Sequence, residues 1–214
     1  MKRRNFLIAA SGGLVAGGAL LGLDGGSRTG AAFAQDATAE IRPDFVQGSA
    51  DAPVTLMEYA SFTCPHCANF HATVYPQLKE NYIDTGKVKF ILREVYFDKY
   101  GLWAGMVAQC AGEARYYGVA DMLFDRQREW LGDGQDATIG ANLRRIGATA
   151  GLSPEQLDAC LNDQAMAQSM VATYQKNATD DGVNATPTLF INGTKHQNMS
   201  YEELSTLLDA ELAG

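Results

Sequence analysis

Residues 58–67 read EYASFTCPHC and place two cysteines, Cys64 and Cys67, three positions apart. The apolar run Val54–Met57 precedes this stretch and indicates a strand. The residues that follow, 68–82, carry apolar side chains at helical spacing. The pattern therefore predicts that Cys64 lies at the N-terminus of a helix and that Cys67 lies one turn inside it.

The predicted position of the cysteines has a chemical consequence. The N-terminal amides and the dipole of a helix favour an anion, so they stabilise the thiolate of Cys64 over its thiol. Only a thiolate attacks or leaves in disulfide exchange. His66 lies between the cysteines and can add positive charge or a hydrogen bond to the same sulfur. We therefore predict a redox pair in which Cys64 is the exposed attacking sulfur and Cys67 the buried resolving one.

Two other interpretations of the cysteine pair remain open. The pair is also compatible with a structural disulfide, and together with His71 it has the spacing of a metal site at one end of a helix. Haem attachment requires a histidine directly after the second cysteine, where this chain has Ala68. The chain has no second Cys-x-x-Cys pair to complete a tetrahedral zinc set. Redox chemistry without a bound metal is therefore the expectation.

Residues 1–34 are predicted to form an export signal that is cleaved from the folded protein. A basic start precedes a Gly- and Ala-rich apolar run over 6–23, and the Ala-Phe-Ala at 32–34 fits a small-x-small cleavage site. Residues 3–7, RRNFL, resemble the twin-arginine export motif of bacteria. An uncleaved membrane anchor is the alternative, and the glycines within the apolar run weaken it. We expect cleavage after Ala34 and a periplasmic location.

The negative charge of the chain argues against nucleic acids as binding partners. The formal net charge is −8 at pH 7, and removal of the basic leader would make the protein more acidic. An acidic surface disfavours binding to the phosphate backbone of nucleic acids. We therefore expect no nucleic-acid partner.

All four cysteines lie after the predicted leader, at positions 64, 67, 110 and 160. An even count in an exported chain favours two disulfides. Cys110 and Cys160 each lie in a predicted helix, and we expect a structural disulfide between them. Two buried free thiols and a second redox-active pair are the alternatives.

The remaining pattern predicts the order strand, strand, helix, strand, helical block, strand hairpin, helix. A short edge strand is predicted within 44–48, an inner strand at 54–59, and a third strand, buried on both faces, at 88–95. Pro76 interrupts the first helical pattern and predicts a kink. Residues 99–181 carry no strand signal and predict the helical block.

Several local signals subdivide the helical block. Helices are predicted at 103–117 and 121–130, and Asp136 is predicted to cap the next one. Ser153 begins a helix that has proline at its first position and glutamine at its third. A last helix is predicted at 165–181.

The C-terminal part predicts a hairpin and a helix. A strand at 185–191 leads into the Asn-Gly turn at 192–193, a strong signal for a two-residue hairpin, and 194–196 is the return strand. Ser200 and Glu203 form the pattern of a capping box for a closing helix.

The chain resembles the DsbA family of bacterial periplasmic disulfide oxidases in three features. These are the order of the elements, the Cys-Pro-His-Cys motif, and the later Thr-Pro at 186–187. The resemblance covers nearly all of residues 44–212. It implies an α/β thioredoxin fold in which two segments, 35–98 and 182–214, enclose an inserted α-helical domain at 99–181.

The resemblance implies roles for the residues around the cysteines. In the family, the dipeptide between the cysteines largely sets how oxidising the pair is. Pro-His, here Pro65 and His66, is the strongly oxidising choice. A glutamate six residues before the first cysteine, here Glu58, passes a proton to or from the buried cysteine.

The sequence leaves the partner of Glu58 open. Strand alternation places Glu58 on a buried face, where burial disfavours the charged form of a carboxylate. The family often pairs this glutamate with a lysine on the next strand, and here Leu92 or Arg93 falls near that position. A solvent-facing Glu58 at the end of the strand is the alternative.

Two further features follow from the resemblance. In the family a cis proline, here Pro187, faces the redox disulfide, and the backbone of Thr186 would pair with an extended substrate. An ordinary trans proline that opens a strand is the alternative. Some alphaproteobacterial relatives carry a second disulfide in the insertion, which would correspond to Cys110 and Cys160.

The function implied by the resemblance is that of a periplasmic thiol:disulfide oxidase. A substrate thiolate would attack Cys64 and form a mixed disulfide in a groove beside Pro187, and a second substrate thiolate would release it. The substrates would be unfolded exported proteins with free thiols. A membrane-bound, quinone-linked partner of the DsbB type would reoxidise the pair, and no cofactor would be needed.

We expect a monomer, because related isomerases carry an N-terminal dimerisation domain and only about ten residues separate the cleavage site from the first strand. Two alternatives to the oxidase function stay open. A disulfide isomerase or reductase would use the same fold and the same cysteines. A periplasmic metal-binding or chaperone module would instead use Cys64, Cys67 and His71 as ligands.

Overall fold

The computed structural model describes residues 40–214. The predicted export signal and its cleavage site lie outside these residues. Among the residues described, no helix combines the length and the apolar character that a membrane span requires.

A mixed five-stranded sheet forms the centre of the fold, in the order β1-β3-β2-β4-β5. The strands are β1 Val46–Gln47, β2 Val54–Ala60, β3 Val88–Glu94, β4 Thr188–Ile191 and β5 Thr194–Gln197. β2 and β3 run parallel, and the other neighbouring strands are antiparallel. The predicted strands are confirmed, but the one expected to start at 185 starts at Thr188, because Pro187 has no N–H for the ladder.

Side-chain alternation along β2 decides what enters the core. Val54, Leu56 and Glu58 are fully buried. In the register of the sheet, Glu58 lies opposite Leu92 of β3 on one side and opposite Leu189 of β4 on the other. The strand therefore carries a carboxylate into apolar surroundings, which agrees with the predicted alternation.

The helix after the cysteine motif is broken, as Pro76 predicted. α1 covers Pro65–Thr73, α2 covers Tyr75–Leu78, and a single π-helical turn covers Lys79–Ile83. The interruption lies at Val74. A proline lacks the N–H that would bond the carbonyl four residues earlier, so the regular ladder ends just before it.

Six helices lie between β3 and β4. They are α3 Lys99–Cys110, α4 Glu113–Asp125, α5 Gln127–Leu131, α6 Asp136–Thr149, α7 Pro154–Leu161 and α8 Gln164–Asp180. The predicted helices at 103–117 and 121–130 are wrong, because the chain turns at Gly112 and again at Arg126. Gly112 has φ of +78°, a left-handed conformation that glycine adopts readily.

The local signals at two other helices and at the hairpin are confirmed. Ser153 caps α7, and Ser200 caps α9, which covers Tyr201–Ala213; both caps are capping boxes. The turn between β4 and β5 has positive φ at both Asn192, +46°, and Gly193, +85°, as a two-residue hairpin turn requires.

Asp136 does not cap α6 as predicted. Gln135 occupies the cap position and Asp136 is the first residue of the helix. The carboxylate of Asp136 accepts hydrogen bonds from Lys99 Nζ at 2.6 Å and Tyr100 Oη at 2.8 Å. The side chain is therefore engaged by α3 rather than by the amides of its own helix.

One apolar core joins the sheet to the helical block. Leu56 of β2 and Phe90 of β3 belong to the same cluster of buried side chains as Val107 of α3, Tyr116 of α4 and Trp130 of α5. Burial of apolar surface is the main favourable contribution to folding. The helices of the block are therefore held against the sheet by the same force that holds the sheet together.

A disulfide joins Cys110, at the end of α3, to Cys160 of α7, 50 positions later in the chain. Cys160 is buried in a small cluster with Met106 and Met170. The two cysteines are thus bonded rather than free, and the bond lies within the helical block.

Replacing both Cys110 and Cys160 with alanine should lower the free energy of unfolding by about 2–4 kcal/mol, because the unfolded chain loses the constraint of a long closed loop. Urea unfolding, followed with Cys64 and Cys67 in the thiol state in both proteins, measures the loss. An unchanged unfolding midpoint would show that the bridge does not stabilise the fold.

Candidate active site at the cysteine pair

The two cysteines occupy the start of α1, as the motif predicted. Cys64 is the N-cap residue, with extended backbone angles of φ −79° and ψ 120°, and Pro65 opens the helix. The carbonyl of Cys64 accepts the amide of Ala68 at 3.1 Å. Both cysteines are thiols in this structure, and Cys67 lies inside the first turn.

The exposure of the thiols differs less than predicted. Cys67 is fully buried, and Cys64 is only 9% exposed. The expectation of an exposed Cys64 is therefore wrong, and the structure instead places Cys64 among the buried residues, with a small part of its surface accessible. The cover comes from the segment before β4, because Sγ of Cys64 lies 3.6 Å from the carbonyl oxygen of Thr186.

The peptide bond between Thr186 and Pro187 is cis. Pro187 is buried and Thr186 is half-buried beside the cysteine motif. The thiol of Cys64 is oriented to donate to the Thr186 carbonyl. The structure thus brings together the cysteine motif and a segment that follows it by 122 positions.

A cleft of about 720 Å³ opens on this side of the protein. It is lined by His66, Asn184, Ala185, Thr186, Pro187, Thr188, Lys195, His196, Gln197 and Asn198. His66 is exposed, so the residue between the two cysteines forms part of the wall of the cleft.

Burial controls the protonation of Cys67. Removal of the sulfur from water raises the pKa of the Cys67 thiol, and the nearby charge of Glu58 raises it further. Cys67 therefore stays protonated at pH values where an ordinary thiol would ionise.

Glu58 has a partner that the sequence did not indicate. Its Oε2 lies 2.9 Å from Nε2 of His71, which follows Cys67 by one turn of α1. Leu92, opposite Glu58, is apolar, and Arg93 instead binds the carboxylates of Asp44 and Asp181. Neither of the two residues considered for this role is therefore the partner.

The sequence suggests His71 only as a metal ligand, but in the structure its ring contacts Glu58 instead. Within residues 40–214, no group of three or more His, Cys, Asp and Glu side chains is placed to hold a metal ion. The geometry of the described residues therefore gives no support to the metal alternative.

The helical block also contributes to the site through Gln127 of α5. Its side-chain amide is buried and donates to the carbonyl oxygens of Phe62 at 2.8 Å and Cys64 at 2.9 Å. No sequence signal indicated this role, because Gln127 follows the motif by more than 60 positions. A second hydrogen bond ties the loop before α1 to the helical block, because Thr63 Oγ1 donates to the carboxylate of Asp98 at the start of α3.

The chain matches known proteins over most of the described residues. The family model for thioredoxin matches residues 40–210. A Rickettsia bellii protein named as a protein-disulfide oxidoreductase is 32% identical over 167 residues, which are 78% of this chain and 63% of that protein. The chain thus spans just under two thirds of the length of the Rickettsia relatives that it matches.

Two solved structures are similar in fold. Wolbachia pipientis alpha-DsbA1 has a TM-score of 0.75 and 29% identity, over 82% of this chain and 94% of that one. Oxidised BdbD from Bacillus subtilis has a TM-score of 0.71 and 26% identity, over 80% of this chain and 94% of that one. The chain belongs to the DsbA family. The predicted fold class, a thioredoxin fold with an inserted α-helical domain, is confirmed.

In this DsbA-family protein, the residues expected at the site do meet. Cys64 contacts Thr186, and Thr186, Pro187 and His66 line the neighbouring cleft. Glu58 lies beneath, close enough for its charge to act on Cys67. Pro65 is exposed and sets the first turn of α1. The bonded pair Cys110 and Cys160 is separate from this group.

Raising the pH of the reduced protein should leave Cys67 as a thiol beyond the range in which thiols ordinarily ionise. In Cys64→Ser the remaining Cys67 thiol should stay protonated beyond the ordinary pKa of 9.0, because its own pKa is raised by burial. The ultraviolet absorbance of the thiolate measures this in the Cys64→Ser variant. Early ionisation in Cys64→Ser would contradict the assignment.

Gln127→Leu should lower the free energy of unfolding by about 2 kcal/mol, because two buried carbonyl oxygens lose a donor. Urea unfolding measures the loss. Gln175→Leu is the matched control, since Gln175 is exposed on α8 and its replacement should cost less than about 0.5 kcal/mol. Equal stability of the two variants would show that Gln127 does not hold the cysteine loop.

Proposed function

We propose that this protein is a periplasmic thiol:disulfide oxidase that donates a Cys64–Cys67 disulfide to exported proteins. The observation that carries the proposal is the asymmetry of the two thiols. Cys64 lies at a helix N-terminus and keeps 9% of its surface exposed, whereas Cys67 is fully buried, with a raised pKa, near Glu58. One sulfur is thus available to substrate and the other is protected from it.

The exchange takes place in two displacements. A substrate thiolate attacks Sγ of Cys64, the bond to Cys67 breaks, and Cys67 leaves as a thiolate that takes up a proton. A second substrate thiolate then attacks the substrate sulfur of the mixed disulfide, and Cys64 leaves as a thiolate. The helix amides at the start of α1 favour this leaving group. Two electrons pass from the substrate to the enzyme pair.

The cleft beside the cis peptide bond fits an extended substrate chain. Its wall includes the backbone around Thr186, which can pair with a strand, and Pro187 keeps the segment fixed next to Cys64. The side chains of Lys195, His196 and Gln197 make the opposite part of the cleft polar. Unfolded exported proteins with free thiols are therefore the proposed substrates, without nucleic acid or a cofactor.

The proposed location follows from the cysteines and the leader. A structural disulfide such as Cys110–Cys160 persists in oxidising compartments. The basic, apolar start of the chain is consistent with an export signal cleaved after Ala34. We propose that a monomer acts in the periplasm and that a membrane-bound, quinone-linked partner of the DsbB type reoxidises its cysteine pair. The proposed domain boundaries are 35–98 with 182–214, and 99–181.

The redox equilibrium with glutathione tests the oxidase function. The protein should be more oxidising than a glutathione pool at roughly −200 mV, and a potential near the thioredoxin value of about −270 mV would instead make it a reductase. Oxidation of a reduced peptide is the second measurement. Cys64→Ser should abolish it, and the variant with alanine at 110 and 160 should retain it.

A further inference from the structure

Glu58 and His71 form a buried pair with two unpartnered atoms. Nε2 of His71 contacts Oε2 of Glu58 at 2.9 Å, and the side chains are 5% and 0% exposed. Oε1 of Glu58 and Nδ1 of His71 are buried without a hydrogen-bond partner. Buried polar atoms without a hydrogen-bond partner are uncommon in folded proteins, so this pair requires an explanation.

Aromatic packing fixes the ring of His71. The ring stacks on Phe124 of α4, with centroids 3.8 Å apart and planes 15° apart, and lies 4.6 Å from the ring of Tyr75. The ring is thus held with Nε2 toward the carboxylate. A carboxylate that is ionised can only accept a hydrogen bond, so Nε2 carries the hydrogen when Glu58 is charged.

Other titratable groups surround the pair from several elements. They are Cys64 and Cys67 at the start of α1, Tyr75 of α2, Lys79 of the π-helical turn, and Tyr117 and Asp121 of α4. Burial raises the pKa of the Asp121 carboxyl, while the charges of His71 and Lys79 oppose that shift. His71 therefore has a second carboxyl in its surroundings, but its hydrogen bond goes to Glu58.

We propose that His71 is a positioning residue that makes Glu58 the internal proton donor to Cys67, by supporting the carboxylate that remains after the proton has left. The proposal rests on the exchange reaction described above and on the proton transfer that the resemblance implies for Glu58, and it adds the part played by His71. The free Oε1 of Glu58 is the atom that delivers it, since Oε2 is held by His71.

The proton and electrons balance within the site. In the proposed step Glu58 starts as the neutral acid and His71 as the neutral imidazole, so that the pair carries no net charge. When the bond between the cysteines opens, its electron pair goes to Sγ of Cys67, and the proton moves from Glu58 to that sulfur. A Glu58 carboxylate remains, hydrogen-bonded to a neutral His71. No proton is drawn from water in this step.

Without the donor of His71, the same transfer would leave an unpartnered carboxylate in the core. Glu58 would then keep its proton, because a buried charge without a hydrogen bond is strongly disfavoured. Cys67 would take its proton from water instead. The number of protons taken from solvent per disulfide reduced therefore separates the two situations.

The experiment measures that number from the pH dependence of the redox equilibrium with glutathione, corrected for the ionisation of glutathione itself. Between about pH 6 and pH 8, each proton taken up changes the equilibrium constant about tenfold per pH unit. With Cys64 as a thiolate, the wild-type protein should take up close to none, and a protonated Cys64 would add the same one proton to every variant. His71→Phe keeps a ring to stack on Phe124 but has no donor, and it should take up close to one.

Three further variants make the test specific. His71→Gln retains an amide donor for Oε2 but no ring that binds a proton, and it should behave like the wild type. Glu58→Gln should take up close to one proton, and adding His71→Phe to it should change nothing more. Leu143→Ala, a buried position of α6, should lower stability without changing the proton count.

Equal uptake by the wild type and His71→Phe would overturn the proposal. So would a His71→Gln variant that behaves like His71→Phe, because the donor would then not be the feature that matters. The difference in uptake between the wild type and His71→Phe does not depend on the potential. A reductase-like potential with the expected difference would therefore contradict the oxidase function and still support the role of His71.

Discussion

The pairing of β2 with β4 is the constraint on which the site depends. The register of this antiparallel pair sets Tyr59 opposite Thr188, so the chain that leaves β2 toward Cys64 meets the chain that enters β4 from Pro187. A thiol and a carbonyl oxygen that are 122 positions apart thereby come within 3.6 Å. The apolar core under the sheet fixes the register, because a slip by one residue would turn Glu58 and Leu56 to the opposite face.

The helices between β3 and β4 also contribute side chains that position the residues around the cysteine pair. Gln127 reaches from α5 to the carbonyl of Cys64, and Phe124 of α4 holds the ring of His71. Both helices share the apolar core of the sheet through Trp130 and Leu123. The position of the reactive sulfur and the environment of the buried carboxylate are therefore set jointly by the sheet and by the inserted helices.

Features encoded by neighbouring residues could be predicted from the sequence. The cysteine motif at a helix start, the Asn-Gly turn at 192–193 and the capping box at Ser200 each depend on a few adjacent side chains. The turn at Gly112 could not be predicted, because the positive φ of one residue does not change the spacing of apolar residues along the sequence. Gln127 was missed as a site residue and His71 as a partner for Glu58, since contacts across the fold have no local sequence pattern.

The outer edge of the sheet beside the cleft is short and polar. β5 has four residues, Thr194–Gln197, of which three are exposed, and Lys195 lies in its middle. An open edge with unpaired amides is a template on which other chains can add and aggregate, and short charged edges resist this. Under the proposed function, the cleft would meet that hazard each time it received an unfolded chain. The brevity of β5 would then let a substrate segment dock beside Cys64 without the addition of further strands.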